Sequence, residues 1–270
     1  MTRLLTAFVI SISLFTACSK NALTGKNQLT LFKESDLQAM STKQYQQFLS
    51  SNKVITSSSN RDLDMVKRVG ERITKAAEQL LAERGKADML KGFKWEYNLV
   101  DSKEVNAWCM PGGKIVVYTG LLPITQNEAA LAVVMGHEVS HALLQHGNQR
   151  MSQQLGAEVV GTGLSVAVAN KPAETQNAYL AAFGLGSQVG VLLPFSRNQE
   201  SQADKYGLFL AAMAGYNPEE AIPLWERMEK AAASGQKPPE FLSTHPSEGQ
   251  RIEQLKKLMP EALKRYKPVQ

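Results

Sequence analysis

The stretch Ala129-Ala130-Leu131-Ala132-Val133-Val134-Met135-Gly136-His137-Glu138-Val139-Ser140-His141 decides the reading of this chain. An unbroken apolar run leads into two histidines four residues apart, a spacing that puts both on one face of a helix, about 6 Å apart along its axis. Two imidazoles so placed converge on a single ion at the ~2.0–2.1 Å typical of zinc–nitrogen bonds. Glu138, one step further round, lies beside the ion without ligating it, where it can take a proton from a zinc-bound water whose pKa the metal lowers towards ~7. The apolar run marks the helix as buried. A buried His-Glu-x-x-His without an ion would leave polar groups unpaired at roughly 1–3 kcal/mol each. Thr125 and Glu128 have the spacing of a capping box, so the predicted helix covers 126–146. The expected cofactor is Zn²⁺, one per chain.

The third ligand must come from elsewhere. In the pattern that continues with Gly and His after the second histidine, positions 144 and 147 would carry them; here they are Leu144 and Gly147, which excludes that class. His146 points to another side of the helix and reads as a helix-end cation near the C-terminal dipole. Glu200 is the better ligand. It lies in Arg197-Asn198-Gln199-Glu200-Ser201-Gln202-Ala203-Asp204, where helical spacing puts Asp204 one turn further on the same face. A carboxylate third ligand gives a His₂Glu site with an open position, and Asp204 can accept the second ring N–H of a zinc histidine.

Working outward, residues 61–84 keep Leu63, Val66, Val69, Ile73, Ala76, Ala77 and Leu80 at helical spacing, and a further helix is expected over 34–49, with a polar linker at 50–60. Residues 93–100 alternate large apolar with polar side chains, and 105–110 and 114–119 flank Pro111-Gly112-Gly113, which predicts a small antiparallel sheet with a hairpin. Beyond it the pattern is helical: 126–146, a Gly- and Ala-rich stretch over 152–192, then 198–214, 218–232 and 247–265. That stretch, with Gly156, Gly161, Gly163, Gly184, Gly186 and Gly190, reads either as close helix packing through small residues or as a mobile lid. The class is α+β, mainly α, with one short sheet beside the zinc helix. Residues 61–270 are expected to form the zinc domain and 18–60 a tether with an N-terminal helix.

The 270 residues carry 30 Lys and Arg against 25 Asp and Glu, for a net charge of +5. The cations are scattered, and no nucleic-acid site is read from them. Arg3 followed by the apolar run 4–17 and Cys18 has the layout of a secretory signal, too short to span a ~30 Å hydrocarbon core comfortably. Its end, Leu14-Phe15-Thr16-Ala17-Cys18, resembles a bacterial lipobox, although Phe15 stands where leucine is usual. On this reading residues 1–17 are a signal peptide, Cys18 is lipidated, and Ser19 favours an outer membrane. The protein is then expected in the bacterial cell envelope, facing the periplasm. Cys109 is the second of two cysteines and reads as a small buried apolar residue.

Together these motifs resemble the CAAX-prenyl-protease-type zinc endopeptidases, metallopeptidase family forty-eight, whose domain is of the gluzincin type. The resemblance takes in Leu23-Thr24-Gly25-Lys26-Asn27-Gln28-Leu29, Val105-Asn106-Ala107-Trp108, Pro111-Gly112-Gly113, the zinc helix, Glu200 to Asp204, and Thr244-His245-Pro246-Ser247 with Arg251. It is strongest to the soluble, lipid-anchored and mitochondrial quality-control branches, since no apolar run reaches the ~18 residues that embedding in a membrane requires. The resemblance implies that Asn106 and Ala107 form an edge strand pairing with an extended substrate. It also implies that His245 and Arg251 face the zinc and stabilise the oxyanion, or that His245 ligates zinc and holds the enzyme latent. The expected activity is endopeptidase cleavage of unfolded or misassembled envelope proteins. The rival readings are a periplasmic chaperone or assembly factor using the same groove, and a structural zinc protein.

Overall fold

A computed structural model describes residues 18–172, 174–175, 196–233, 239–245 and 250–268. The expected signal at 1–17, Pro246 and Ser247 of the His245 motif, and Gly184, Gly186 and Gly190 lie outside the described residues. The chain divides into two compact units. One takes residues 34–144 and those after 194; the other takes residues up to 33 together with 145–194.

In the larger unit, helix α1 (Glu34–Ser51) precedes α2 (Arg61–Glu83). Asn60 stops the linker and starts α2: its side-chain oxygen accepts the Leu63 N–H at 2.9 Å, and Asp62 and Asp64 sit in the first turn, where the helix dipole favours anions. The helix buries Leu63, Val66, Val69, Ile73, Ala77 and Leu80 almost completely, the Leu, Val and Ile side chains each worth roughly 1.5–3 kcal/mol against exposure. It ends where Gly85 takes φ +64°.

Strands β3 (Glu96–Val100), β4 (Ala107–Met110) and β5 (Lys114–Tyr118) form a sheet in the order β3-β5-β4. The expected antiparallel sheet is corrected to a mixed one. β4 and β5 are the predicted hairpin, with Gly112 and Gly113 both at φ +85°, but β3 runs parallel to β5, pairing Glu96 with Lys114 and Val100 with Tyr118. Alternation reveals that a segment is extended and is blind to its direction. Tyr45 and Phe48 of α1 cover one face, packing edge-on against Trp108.

The short helix α3 (Leu122–Thr125) leads into α4 (Glu128–Leu143), the helix of the His-Glu-x-x-His motif. The predicted capping box is not formed. Thr125 ends α3, Gln126 takes φ +64°, and Asn127 caps α4 by accepting the Ala130 N–H at 2.8 Å, while Glu128 pairs with Arg68 on α2. Every residue from Ala130 to Leu143 is buried, as expected of a helix apolar all round. Its most extensive partner is α6 (Arg197–Met213). Ser196 and Gln199 cap α6 reciprocally, a Ser-x-x-Gln signal present in the sequence. Helices α7 (Ala221–Ala233), α8 (Glu240–Thr244) and α9 (Arg251–Leu263) complete this unit among the described residues.

In the smaller unit, the expected tether is an ordered hairpin: β1 (Cys18–Lys20) pairs antiparallel with β2 (Asn27–Leu29). The Asn21 side chain closes the turn by accepting the N–H groups of Leu23 and Thr24. Helix α5 (His146–Val168) follows Gln145, which sits at φ +56°. His146 is therefore not a cation at the end of the zinc helix; it is fully buried in the first turn of the next one. Val159, Val160 and Val166 of α5 are exposed. Among the described residues no helix is long and apolar enough to cross a membrane.

Candidate metal centre

Helix α4 supplies His137, Glu138 and His141, and α6 supplies Glu200 and Asp204. The Nε2 atoms of His137 and His141 face each other at 3.0 Å, as the four-residue spacing requires. Glu200 reaches both: Oε2 lies 3.4 Å from His137 Nε2 and Oε1 lies 3.3 Å from His141 Nε2. Asp204 Oδ1 stands 3.0 Å from His137 Nδ1. A carboxylate only accepts, so Nδ1 carries a proton; burial opposes charging this imidazole, but Glu200 and Asp204 push it up to about 9, and a metal ion at Nε2 would take the place of its second proton.

His245, just after α8, brings Nε2 to 3.5 Å from Glu138 Oε1. Its Nδ1 lies 3.1 Å from the Phe241 carbonyl, and its ring stacks on that of Phe241 at 4.5 Å. Nδ1 donates to the carbonyl, so Nε2 again presents a lone pair. Arg251, the first residue of α9, is buried with all three guanidinium nitrogens engaged. Nε donates to Asp204 Oδ2 at 2.8 Å, Nη2 to Asp204 Oδ1 at 2.6 Å and Glu200 Oε2 at 3.0 Å, and Nη1 to the His245 carbonyl at 3.2 Å. The guanidinium is committed to the carboxylates behind the histidines.

Burial pushes the carboxyl of Glu138 up to about 8, with the charge of Glu200 adding to it. Burial also lowers the His141 imidazole to about 4 and that of His245 well below its ordinary range, so both favour the neutral form that ligates metal. Burial works against ionisation of Glu200, but His137 and His141 hold its carboxyl well below the usual range.

One ligand atom from each of His137, His141, Glu200 and His245 can be chosen so that all lie within 4.8 Å of one another, and all four residues are buried. Oε1 of Glu138 and Oε1 of Glu200 are buried without a hydrogen-bond partner among the described residues. Buried carboxylate oxygens left so would each carry a desolvation penalty, which a cation removes. Imidazole and carboxylate donors of this number fit zinc.

Sequence reasoning missed the pair that lets these helices meet. A Cβ on Gly207 would lie 2.7 Å from the His137 backbone nitrogen, and one on Gly136 would lie 2.7 Å from the Gly207 carbonyl oxygen. Backbone therefore packs on backbone directly beneath His137. Glycine next to His137 and glycine three residues after Asp204 were the available signals.

At the sheet edge, the Asn106 carbonyl accepts the Tyr118 N–H at 3.1 Å, so the Ala107 N–H faces away from β5. Asn106 Oδ1 accepts it at 2.9 Å. Cys109 is half-buried, and packing around its sulfur raises its thiol above the ordinary range, away from reactivity.

Comparison with known proteins adds the context. The family model described as Peptidase family M48 matches residues 67–259. Mitochondrial metalloendopeptidase OMA1 of Schizosaccharomyces pombe is 34% identical over 191 residues, covering 70% of this chain and 53% of that protein. The Arabidopsis thaliana protein of the same name is 38% identical over 183 residues, 67% of this chain and 35% of that protein. The Beta-barrel assembly-enhancing protease of Escherichia coli is 29% identical over 161 residues, 58% and 33% of the two chains. The chain spans about half the length, or less, of these curated relatives.

These relatives overturn the expected location. Residues 1–18 read as the leader and lipidated cysteine of a bacterial outer-membrane protein, yet the mitochondrial endopeptidases match at higher identity and over more residues than the bacterial protease. An apolar run behind an arginine records that a segment suits a targeting receptor; hydropathy does not say which compartment's receptor reads it. The buried donor set and a family model that covers most of the chain agree, and the chain belongs to peptidase family M48.

Proposed function

We propose that the chain cleaves proteins presenting an unfolded, extended segment, with His137, His141 and Glu200 as zinc ligands and Glu138 as general base. The observation that carries this reading is the placement of Glu138: between the two histidines on one helix, buried, with an oxygen that no group among the described residues satisfies. Zinc held there supplies Lewis acidity towards a carbonyl and water. Glu138 takes the proton of the attacking water and returns it to the leaving amine, and its raised pKa suits both halves of that task. Asp204 fixes the His137 tautomer. His245 lies within reach of Glu138 and of the ligand atoms, so it can donate to a developing oxyanion once protonated, or ligate the ion itself.

An extended substrate would add to the outer edge of β4, taking the Ala107 N–H from the Asn106 side chain. Substrate strands of this kind come from unfolded or misassembled proteins, which bare unpaired backbone. The test is hydrolysis of an unfolded protein by the zinc-loaded chain. Glu138→Gln should lower turnover by about 10²–10⁴-fold while zinc content stays at the parent level. A variant that cuts as fast as the parent would remove Glu138 as the base. A parent that binds the unfolded protein and leaves it intact would favour a chaperone.

A further inference from the structure

We infer that Arg251 is a positioning residue that builds the metal site and does not serve as the oxyanion donor. The inference rests on the reading of His137, His141 and Glu200 as ligands. One guanidinium touches three residues of the site: Glu200, Asp204 and His245. Nη2 bonds Oε2 of Glu200 and Oδ1 of Asp204, so the direct carboxylate ligand and the carboxylate that orients His137 share a single donor. Because Oε2 of Glu200 is taken, Oε1 is the oxygen left for a cation. Nε closes a two-point contact with Asp204, and Nη1 holds the His245 carbonyl. The guanidinium plane itself lies over the Trp225 ring, 3.6 Å from its centroid, which fixes the fork from behind.

Only arginine meets this geometry. Two carboxylates side by side in a buried site repel, and a planar fork with several donors neutralises both while keeping each in a set orientation. A lysine has the charge but a single nitrogen, which cannot bond Asp204 at two points, Glu200 and a carbonyl at once. Outer partners of metal ligands typically govern 10–100-fold of affinity.

The experiment compares Arg251→Lys with the parent by chelator competition for zinc, alongside thermal unfolding of both metal-free proteins and the kcat and KM of both zinc-loaded ones. A 10–100-fold weaker zinc affinity in a folded variant, with turnover at saturating zinc falling by less, is the expected result. Zinc affinity within twofold of the parent, with kcat reduced and KM unchanged, would overturn the inference and return Arg251 to the oxyanion. If Arg251→Lys does not fold, Arg251→Gln replaces it, keeping a planar donor and leaving Asp204 and Glu200 intact. Loss of zinc affinity of the same order then supports the inference, and unchanged affinity overturns it. Zinc affinity is read without any hydrolysis, so failure here is distinct from failure of the peptidase reading.

Discussion

Each unit of this molecule contains a cluster of buried polar side chains, and the two clusters are built on opposite principles. In the smaller unit the amides satisfy one another. Asn21 donates to Gln28 at 3.1 Å, Gln28 to Gln145 at 2.7 Å, and Gln149 to Gln28 at 3.1 Å, while Ser152 accepts the Leu31 N–H and donates to Asn148. In the larger unit, the lone pairs of His137, His141, Glu200 and His245 converge, and oxygens of Glu138 and Glu200 have no partner among the described residues. Buried polarity by itself therefore does not mark function. The mark is buried acceptors that face each other, an arrangement that a bound cation resolves.

The sharpest way to break this comparison is removal of metal. A chelator should abolish hydrolysis, and zinc at ~1,000 times its Kd should stabilise the chain by about 4 kcal/mol over the metal-free form, measured by calorimetry. No shift on zinc addition would place the convergent cluster with the self-satisfied one.

Gly207→Ala attacks the helix contact under His137. Its Cβ meets backbone, which has no rotamer to yield, so the variant should lose about 1–3 kcal/mol in denaturant unfolding and bind zinc more weakly. Retained zinc affinity would show that the two helices can part without moving their ligands.

Ser152→Ala tests the other cluster. It removes the hydrogen bonds to the Leu31 N–H and to Asn148, and the expected loss is about 0.5–1.5 kcal/mol of stability with zinc affinity unchanged. Weaker zinc binding in this variant would erase the functional distinction between the clusters.

The smallest effect belongs to a partly exposed pair, Arg68 with Glu128, which serves as a surface reference. The hydrogen bond from Arg68 holds the Glu128 carboxyl below its ordinary value, overcoming the opposing effect of burial. A depressed folded pKa stabilises above the unfolded value of ~4.3 and loses that contribution as pH falls through the folded value. Arg68→Gln should therefore cost about 0.2–1 kcal/mol at neutral pH, and the difference between variant and parent should shrink in acid. A pH-independent difference would assign the effect to packing of the arginine stem.

Much of the site was legible because its central residues lie close together in the chain. His137 and His141 are four apart on one helix, and the helical pitch alone brings their Nε2 atoms together. Glu200 and Asp204 were legible for the same reason as a pair, one turn apart on a second helix. The long amphipathic helix over Arg61–Glu83 was equally plain from its spacing. The hairpin at residues 18–29 was not, because strands of three residues leave no periodicity and are held by side-chain contacts from Asn21 and Gln28. The cap of the zinc helix was misassigned by two residues: Thr125 and Asn127 are both good caps, and only the left-handed turn at Gln126 chooses between them.

By itself, then, the sequence determined which residues could ligate metal, which one could act as base, and that both sets ride on helices, since these follow from side-chain chemistry and a fixed pitch. The tertiary structure alone decided that the two helices meet, through Gly136 and Gly207, and that β3 runs parallel to β5. It alone showed that the guanidinium of Arg251 answers Glu200 and Asp204. Those outcomes depend on contacts between residues far apart in the chain, where local spacing carries no information about distance.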